Sequence, residues 1–553
     1  MAEIIHEGDI PNSNVHWALY DSGLLELVGS GSSPQNIPNF TKSSPPPWNS
    51  YVSDITSTSF DNIQKIGNYS FYQCINLKTV SIPSESYLGK YVFYDSGIED
   101  LYIPGVTWLE EDYTLGGCQY LENIHVGNED SSGYFSLYTL GLCESLESIS
   151  VDVNNSQFSS IDGVLFDKNK ITLYCYPQNK SDESYIIPST VENVEESSIG
   201  FNKNLKKVVF SDSVLNLGRE CLRGCSQLES IEFGKFIGII PALCCYECPK
   251  LYYVKFPDNL KRIEDEAFSS CPNLTQVSIP GSVEYVGNLA FYNVICRFDG
   301  NAPSVGTEAF GPTNISSEES TLYYYSNKSG WSTPTWNGYA TIPMEPISGT
   351  VIDQGIIPYS NVNWYLAEDE QKTRTLVLVG PGSIPDYAQG SFEKPANTPW
   401  KDLQFDKVVL KGSITRVGNN AFSYKDFSEI QINDELESMG RRSFEGCTFE
   451  EFYISDNLSS IDYLSLFNCK NLKKFTINNN SNFSVDDDGA LYSTDKSIMY
   501  YYPSGNGKWF YKLNENTTIL NNSCFNNCTS LQVIDNTDNV QIGRDTSELQ
   551  SRI

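Results

Sequence analysis

No run of about 18 apolar residues occurs in the 553-residue chain, which excludes a membrane-spanning helix. The N-terminus, Met-Ala-Glu-Ile-Ile-His-Glu-Gly, has neither a basic stretch nor an apolar core, so no signal peptide is visible. The C-terminus carries no sorting or lipidation motif. An excised piece of a secreted protein and an intracellular chain both fit these lacks. Lysine and arginine are scarce, 37 against 69 Asp and Glu, for a formal charge of −32. That deficit argues against nucleic acid and anionic membrane as partners, because both reward Lys/Arg clusters. Charge of either sign is thin at 19%, while Tyr (35), Phe (28) and Trp (8) are plentiful. Such a composition suits recognition better than disorder. There are three histidines, His6, His16 and His125, with no nucleophile–base spacing around them. The expectation is therefore no enzyme, no cofactor and no metal.

What the chain does have is cysteine at one position of a repeating frame. Cys74, Cys118, Cys143, Cys225, Cys248, Cys271, Cys447, Cys469 and Cys528 share it, and all but Cys447 are followed three residues on by Leu. The fullest copies run Phe71-Tyr-Gln-Cys74-Ile-Asn-Leu77-Lys-Thr-Val80-Ser-Ile82-Pro83 and Phe268-Ser-Ser-Cys271-Pro-Asn-Leu274-Thr-Gln-Val277-Ser-Ile279-Pro280. Cys225, Cys248 and Cys271 follow one another at 23 residues and Cys447 and Cys469 at 22, and Ser96, Asn202 and Lys425 stand where a cysteine is due. A fixed period of this length means a solenoid, in which each unit buries its apolar residues only by stacking on its neighbours.

The frame has a chemical reading. Leu three residues after the cysteine, then an apolar residue at the sixth and eighth places, gives a short strand with its apolar side inward. Pro83, Pro104 and Pro280 remove a donor directly after the strand and stop it. Phe71, Phe93, Phe268, Phe444 and Phe525 fill a large slot upstream, each next to a small-residue slot such as Ser70, Ala267 or Ser443. Cys221, Cys244 and Cys524 take the small slot and Cys245 the Phe slot. These thiols read as small buried hydrophobes rather than metal ligands, and no histidine accompanies them. Same-slot cysteines on adjacent coils point the same way, which disfavours disulfides. Cys175 and Cys296 fall outside the frame.

The units resemble the BspA-like, Treponema-type leucine-rich repeat, which runs roughly Ile-Gly-x-x-Ala-Phe-x-x-Cys-x-x-Leu-x-x-Val-x-Ile-Pro. Ile66-Gly67 through Ile82-Pro83 matches nearly throughout, and Val286-Gly287 to Phe291 and Val417-Gly418 to Phe422 match the front half. The resemblance implies a leucine-rich-repeat solenoid of stacked short parallel β-strands, with loops, short strands and short helical turns on the opposite side. It also implies a surface-exposed or secreted bacterial or protist protein that adheres to macromolecules. With no signal peptide visible, a cytoplasmic location stays open.

A longer duplication overlies the repeats. Asn14-Val-His16-Trp17-Ala-Leu19 answers Asn361-Val-Asn363-Trp364-Tyr-Leu366; Leu27-Val-Gly29-Ser-Gly31 answers Leu378-Val-Gly380-Pro-Gly382; Pro47-Trp48 answers Pro399-Trp400. Two tandem modules follow, with these expected bounds: a β-rich N-terminal cap at 1–60, repeats at 61–296, a C-terminal cap at 297–345, a second β-rich cap at 346–405, and repeats at 406–553 without an evident terminal cap. A further pair, Phe158 to Phe166 around Asp162-Gly163 and Phe483 to Tyr492 around Asp488-Gly489, reads as hairpins inserted into the stack and projecting from it. Gly29-Ser-Gly31 reads as a turn, because its partner keeps the glycines and loses the serine. Asp486-Asp-Asp488-Gly489 reads as a solvated turn, lacking the alternating spacing of a calcium loop.

That leaves a surface as the candidate site. Outward positions of successive strands are expected to form one continuous face, common ground for solenoid binding. In the first module these positions are Glu99, Asp100 and Tyr102; Glu122, Asn123 and His125; Glu147, Ser148 and Ser150; Lys206, Lys207 and Val209; Glu229, Ser230 and Glu232; and Tyr252, Tyr253 and Lys255. The two adjacent tyrosines are the expected hot spot. The expected partner is a protein or glycan, with no nucleic acid and no membrane insertion; the sequence carries no signature of oligomeric state. The competing expectations are an ordinary wetted sheet face on a structural surface protein without a specific ligand, and an enzyme whose chemistry an inserted loop carries.

Overall fold

The computed structural model describes residues 2–104, 108–109, 113–128, 143–292, 294–312, 321–357, 360, 362–391, 396–536 and 540–542. The chain forms two compact units: residues 1–324 with 328–343, and 325–327 with 344–553.

Within a coil of the first unit, Leu77, Val80 and Ile82 point inward and are buried, as the frame requires. Strands stack in two parallel ladders, one for each side of the coil. In one ladder, Asp100–Ile103, Asn123–Val126 and Ser148–Val151 pair with Leu101, Ile124 and Ile149 in line. Farther along, Ser184–Ile186, Lys207–Val209, Ser230–Glu232 and Tyr253–Lys255 do the same. The second ladder uses two-residue strands, for example Ile239–Ile240, Arg262–Ile263, Tyr285–Val286 and Ser304–Val305. Between the ladders the large slot becomes a column of rings: Phe71 on Phe93 at 5.5 Å, and Phe268 on Phe291 at 5.2 Å.

The short helical turns expected opposite the strands are not found. The described residues hold one 3-10 turn, Asn49–Tyr51, and the coils close instead with hydrogen-bonded turns. The cause lies in the backbone. Five residues and one residue before the cysteine slot the chain is left-handed, as at Tyr69 (φ 57°) and Gln73 (φ 59°), Glu220 (φ 58°) and Gly224 (φ 68°). A left-handed residue ends a helical turn.

The cysteine slot has a polar duty that period alone does not show. Its thiol donates to a carbonyl of the preceding coil: Cys118 to Phe93 (3.1 Å), Cys225 to Ile199 (3.3 Å), Cys248 to Leu222 (3.2 Å) and Cys469 to Phe444 (3.1 Å). Two of the three stand-ins are donors to a preceding carbonyl too. Asn202 Nδ2 donates to Pro177 O at 2.8 Å, and Lys425 Nζ donates to Lys401 O. Ser96 Oγ lies 3.4 Å from Cys118 Sγ. The slot therefore favours a hydrogen-bond donor that reaches a carbonyl of the preceding coil.

At the head of the first unit, Val15–Tyr20 pairs antiparallel with Ile4–Asp9 and Leu24–Gly29, and Leu24–Gly29 starts the parallel ladder against Ser57–Asp61. The second unit repeats this with Thr350–Ile356, Asn363–Glu368, Arg374–Val379 and Lys407–Lys411. Trp17 lies across Gly8 and Trp364 across Gly355, where an added Cβ would sit 3.2 and 2.8 Å from the indole. Trp48 and Trp400 are fully buried and donate Nε1 to Ser70 O (2.9 Å) and Ala421 O (3.0 Å). Asn361, the first residue of the second copy of the motif, lies outside the described residues, as does most of the polar tail from 537.

The hairpins do not project. Phe158–Ile161 and Val164–Asp167 pair antiparallel around a two-residue turn, with Asp162 (φ 48°) and Gly163 (φ 79°) both left-handed. The sheet continues through Thr172–Cys175 into the second ladder. Val164, Leu165 and Phe166 are all buried, so the strand lies across the stack with both faces covered. Leu165 packs into the core upstream and Val164 and Phe166 into the core downstream. The second unit repeats the division, with Leu491 upstream and Ala490 and Tyr492 downstream. The first unit ends in an aromatic plug, where Trp331 meets Phe298 (4.7 Å), Tyr324 (5.1 Å) and Trp336 (4.6 Å).

Candidate recognition face

Every residue singled out on the strand face is at least partly exposed, and Tyr102 is half exposed at 51%. Parallel pairing without register shift turns outward positions into columns. Asp100, Asn123 and Ser148 form one; Tyr102, His125 and Ser150 form the next. Glu99, Glu122 and Glu147 form a third, tied by Glu122 N to Glu99 O and Glu147 N to Glu122 O, each 2.8 Å. The columns are linked along their length. Asn123 Nδ2 donates to Asp100 at 2.7 Å, the Tyr102 and His125 rings stack at 5.3 Å, and His125 Nδ1 lies 2.8 Å from Ser150 Oγ.

A second group lies farther along: Lys206, Glu229 and Tyr252; Lys207, Ser230 and Tyr253; Val209, Glu232 and Lys255. Lys207 pairs with Glu232 at 2.5 Å and Lys206 with Glu183 at 2.6 Å. The two groups belong to separate sheets. The face is thus not one continuous ladder. The transverse hairpin interrupts it, with Ile149 N donating to Gly163 O at 2.9 Å.

The remaining sequence candidates have local partners. His16 lies between Asp9 (2.9 Å) and Glu7 (3.4 Å), and the Asp9 hydrogen bond raises its pKa. His6 stacks on Tyr51 at 3.9 Å. The Gly29-Ser-Gly31 turn is held by Asn62 Nδ2, which donates to both glycine carbonyls. Asp486 caps its own turn by accepting Asp488 N (3.0 Å) and Ala490 N (2.8 Å), while Asp488 pairs with Lys508. All fifteen cysteines are buried thiols outside any disulfide. Cys245-Tyr-Glu-Cys248 has metal-ligand spacing, but Cys248 donates to a backbone carbonyl and Cys245 Sγ lies 3.7 Å from Cys244 Sγ. Burial pushes the Cys74, Cys225 and Cys469 thiols up to about 12.

One feature of the turn side escaped the strand-based reading. Tyr69, Tyr91 and Tyr113 stack at 5.0 and 5.7 Å, Tyr72 and Tyr94 at 5.6 Å, and the Lys42 ammonium sits 4.8 Å from the Tyr72 ring. The signal was a Tyr-x-x-Tyr pair recurring one period apart, at 69–72 and 91–94.

No helix among the described residues is long and apolar enough to cross a membrane. No curated protein matches the chain. Among solved structures it is similar to a leucine-rich repeat protein from Eubacterium ventriosum, at 23% identity over 56% of this chain and 97% of that one, TM-score 0.42. It is also similar to the pneumococcal vaccine antigen PcpA (19% identity, 61% and 99%, TM-score 0.41). A third is a leucine rich cell surface protein from Faecalibacterium prausnitzii (17% identity, 54% and 95%, TM-score 0.32). The family model for the BspA type leucine rich repeat region matches residues 49–172, 169–297, 397–506 and 496–547, well over half of the chain. With the repeating coil, the parallel ladders and that match together, the chain belongs to the BspA type leucine rich repeat family.

Proposed function

We propose that the chain is a non-enzymatic recognition scaffold of a cell-surface or secreted protein, and that it holds a protein or glycan partner on its strand face. The observation that carries this reading is the alignment of outward side chains into columns one rung apart. An array fixed by parallel strand pairing presents many weak contacts at once without ordering a loop, so little entropy is lost on binding. The tyrosines at 252 and 253 sit beside Lys255 and Glu229 on the second group of strands, a mixture typical of interface hot spots. The adhesive part of the reading follows the family.

The test begins with capture of a saturable partner from extracellular-matrix and bacterial-surface proteins. Titration of Tyr252→Ala with Tyr253→Ala then follows. A folded double variant should bind at least about 30-fold more weakly, the equivalent of roughly 2 kcal/mol. Unchanged affinity would move the site off these strands. No saturable partner would favour a purely structural surface role.

A further inference from the structure

Residues 91–167 contain fourteen Asp or Glu and no Lys or Arg. The flanking Lys168 is committed to the Val153 and Asn155 carbonyls. The strands Asp100–Ile103, Asn123–Val126 and Ser148–Val151 all fall inside this cation-free stretch. Elsewhere in the solenoid the same columns alternate in sign. Glu183 meets Lys206 at 2.6 Å, Glu429 meets Lys407 at 2.6 Å, and Glu450 meets Lys473 at 2.8 Å. On the cation-free strands alternation fails. Lys78 neutralises Glu99 at 2.5 Å, and then Glu122 and Glu147 follow on successive rungs with no ion pair among the described residues, Glu147 accepting from the Asn179 amide at 3.1 Å. Rungs are about 4.8 Å apart, and like charges directly opposite on neighbouring strands destabilise a sheet. Beside this acidic pair, Tyr102 is half exposed with its ring stacked on His125. A half-exposed tyrosine ring next to carboxylates that meet no cation among the described residues is complementary to an ammonium or guanidinium.

We infer that this part of the strand face takes a cationic polypeptide segment, its Lys or Arg side chains bridging Glu122 and Glu147 and lying over the ring of Tyr102. The inference rests on the strand-face reading above and names the chemistry of its partner. The acidic columns supply long-range attraction, and the tyrosine supplies a contact that salt screens less. An acidic glycan or an anionic segment would meet repulsion from the same carboxylates.

The test uses the full chain and a labelled Arg-Gly repeat peptide, with a Glu-Gly repeat peptide as its counterpart. A chain of net charge −32 attracts any polycation, so the deciding comparison is between two double variants of equal charge change. Glu122→Gln with Glu147→Gln should weaken the Arg-Gly peptide about tenfold and flatten its salt dependence. Glu370→Gln with Glu515→Gln, exposed acids of the other unit, should change affinity less than about twofold. Tyr102→Ala should weaken binding several-fold, with Tyr102→Phe restoring most of it, because the ring face and not the hydroxyl makes the contact. Equal losses in the two double variants would overturn the inference, as would the absence of any difference between the Arg-Gly and Glu-Gly peptides. Binding of a neutral glycan that needs Tyr102 but not Glu122 or Glu147 would overturn it too, while leaving the strand-face reading intact.

Discussion

Replacing Asn202 by cysteine makes the sequence more regular, and it should make the protein less stable. Asn202 sits fully buried in the cysteine slot of its coil. Its Nδ2 donates to Pro177 O at 2.8 Å, and its Oδ1 accepts the amides of Asn204 at 2.9 Å and Leu205 at 2.8 Å. A thiol can keep the first contact in weaker form, as Cys225 does with Ile199 O at 3.3 Å. One amide can also re-pair, because in the next coil Leu228 N reaches the Cys225 carbonyl at 3.2 Å. The Asn204 amide then has no replacement. A stranded, partly buried amide costs about 1–3 kcal/mol, and exchanging a strong donor for a weak one costs somewhat less. The sum is about 2 kcal/mol for Asn202→Cys, and about 1 kcal/mol more for Asn202→Ala, which also strands the Pro177 carbonyl. Urea unfolding should show a lower midpoint at unchanged slope, and amide exchange should quicken first in the strands bordering residue 202. A variant as stable as the parent or more so would refute the view that the slot is a hydrogen-bonding position.

Three other outcomes follow from the same physics. Native thiol titration should label few of the fifteen cysteines, whereas denaturant should release them all, since burial both hides the sulfurs and holds them protonated. Leu251→Asp puts a charge at a fully buried position between two neighbouring coils; it should cost several kcal/mol and destabilise the first unit beyond its own repeat, and a melt within about 2 °C of the parent would contradict the frame. Asp299 is held up to about 6 by burial, against the attraction of Arg297. Its folded value exceeds its unfolded value of 3.8, so the penalty is present above pH 6 and relieved as pH falls from 6 toward 4. Asp299→Asn should therefore stabilise the protein at pH 7 by up to about 3 kcal/mol and remove that part of the pH dependence; identical pH profiles for variant and parent would contradict it.

Much of the architecture is written in the sequence because a solenoid repeats its local chemistry. The strand period, the phenylalanine column, the two tryptophan-bearing heads and the Asp162-Gly163 turn all follow from side-chain spacing. What spacing could not convey was direction and partnership. The hairpin around Gly163 was expected to project because it interrupts the frame. Val164, Leu165 and Phe166, apolar on both faces, instead carry it across the core. Helical turns were expected because the resemblance to the leucine-rich repeat implies them. Left-handed residues at Tyr69, Gln73 and their equivalents stop each turn early, and a tyrosine or glutamine does not announce that conformation. Ser96, Asn202 and Lys425 looked like lapses in a hydrophobic column. Asn202 and Lys425 are polar because the column donates hydrogen bonds. The face residues were legible one strand at a time, whereas the loss of charge alternation at Glu122 and Glu147 emerges only when the rungs are stacked.

The most direct test of the strand-face reading is hydrogen–deuterium exchange on the full chain, with and without a captured partner. Added protection is expected in peptides covering 99–103, 122–126 and 147–151, or 206–209, 229–232 and 252–255, with the turn-side tyrosines unchanged. Protection confined to the hairpins at Asp162-Gly163 and Asp488-Gly489, to the tryptophan-bearing heads, or to the tyrosine columns at 69–113 would contradict it.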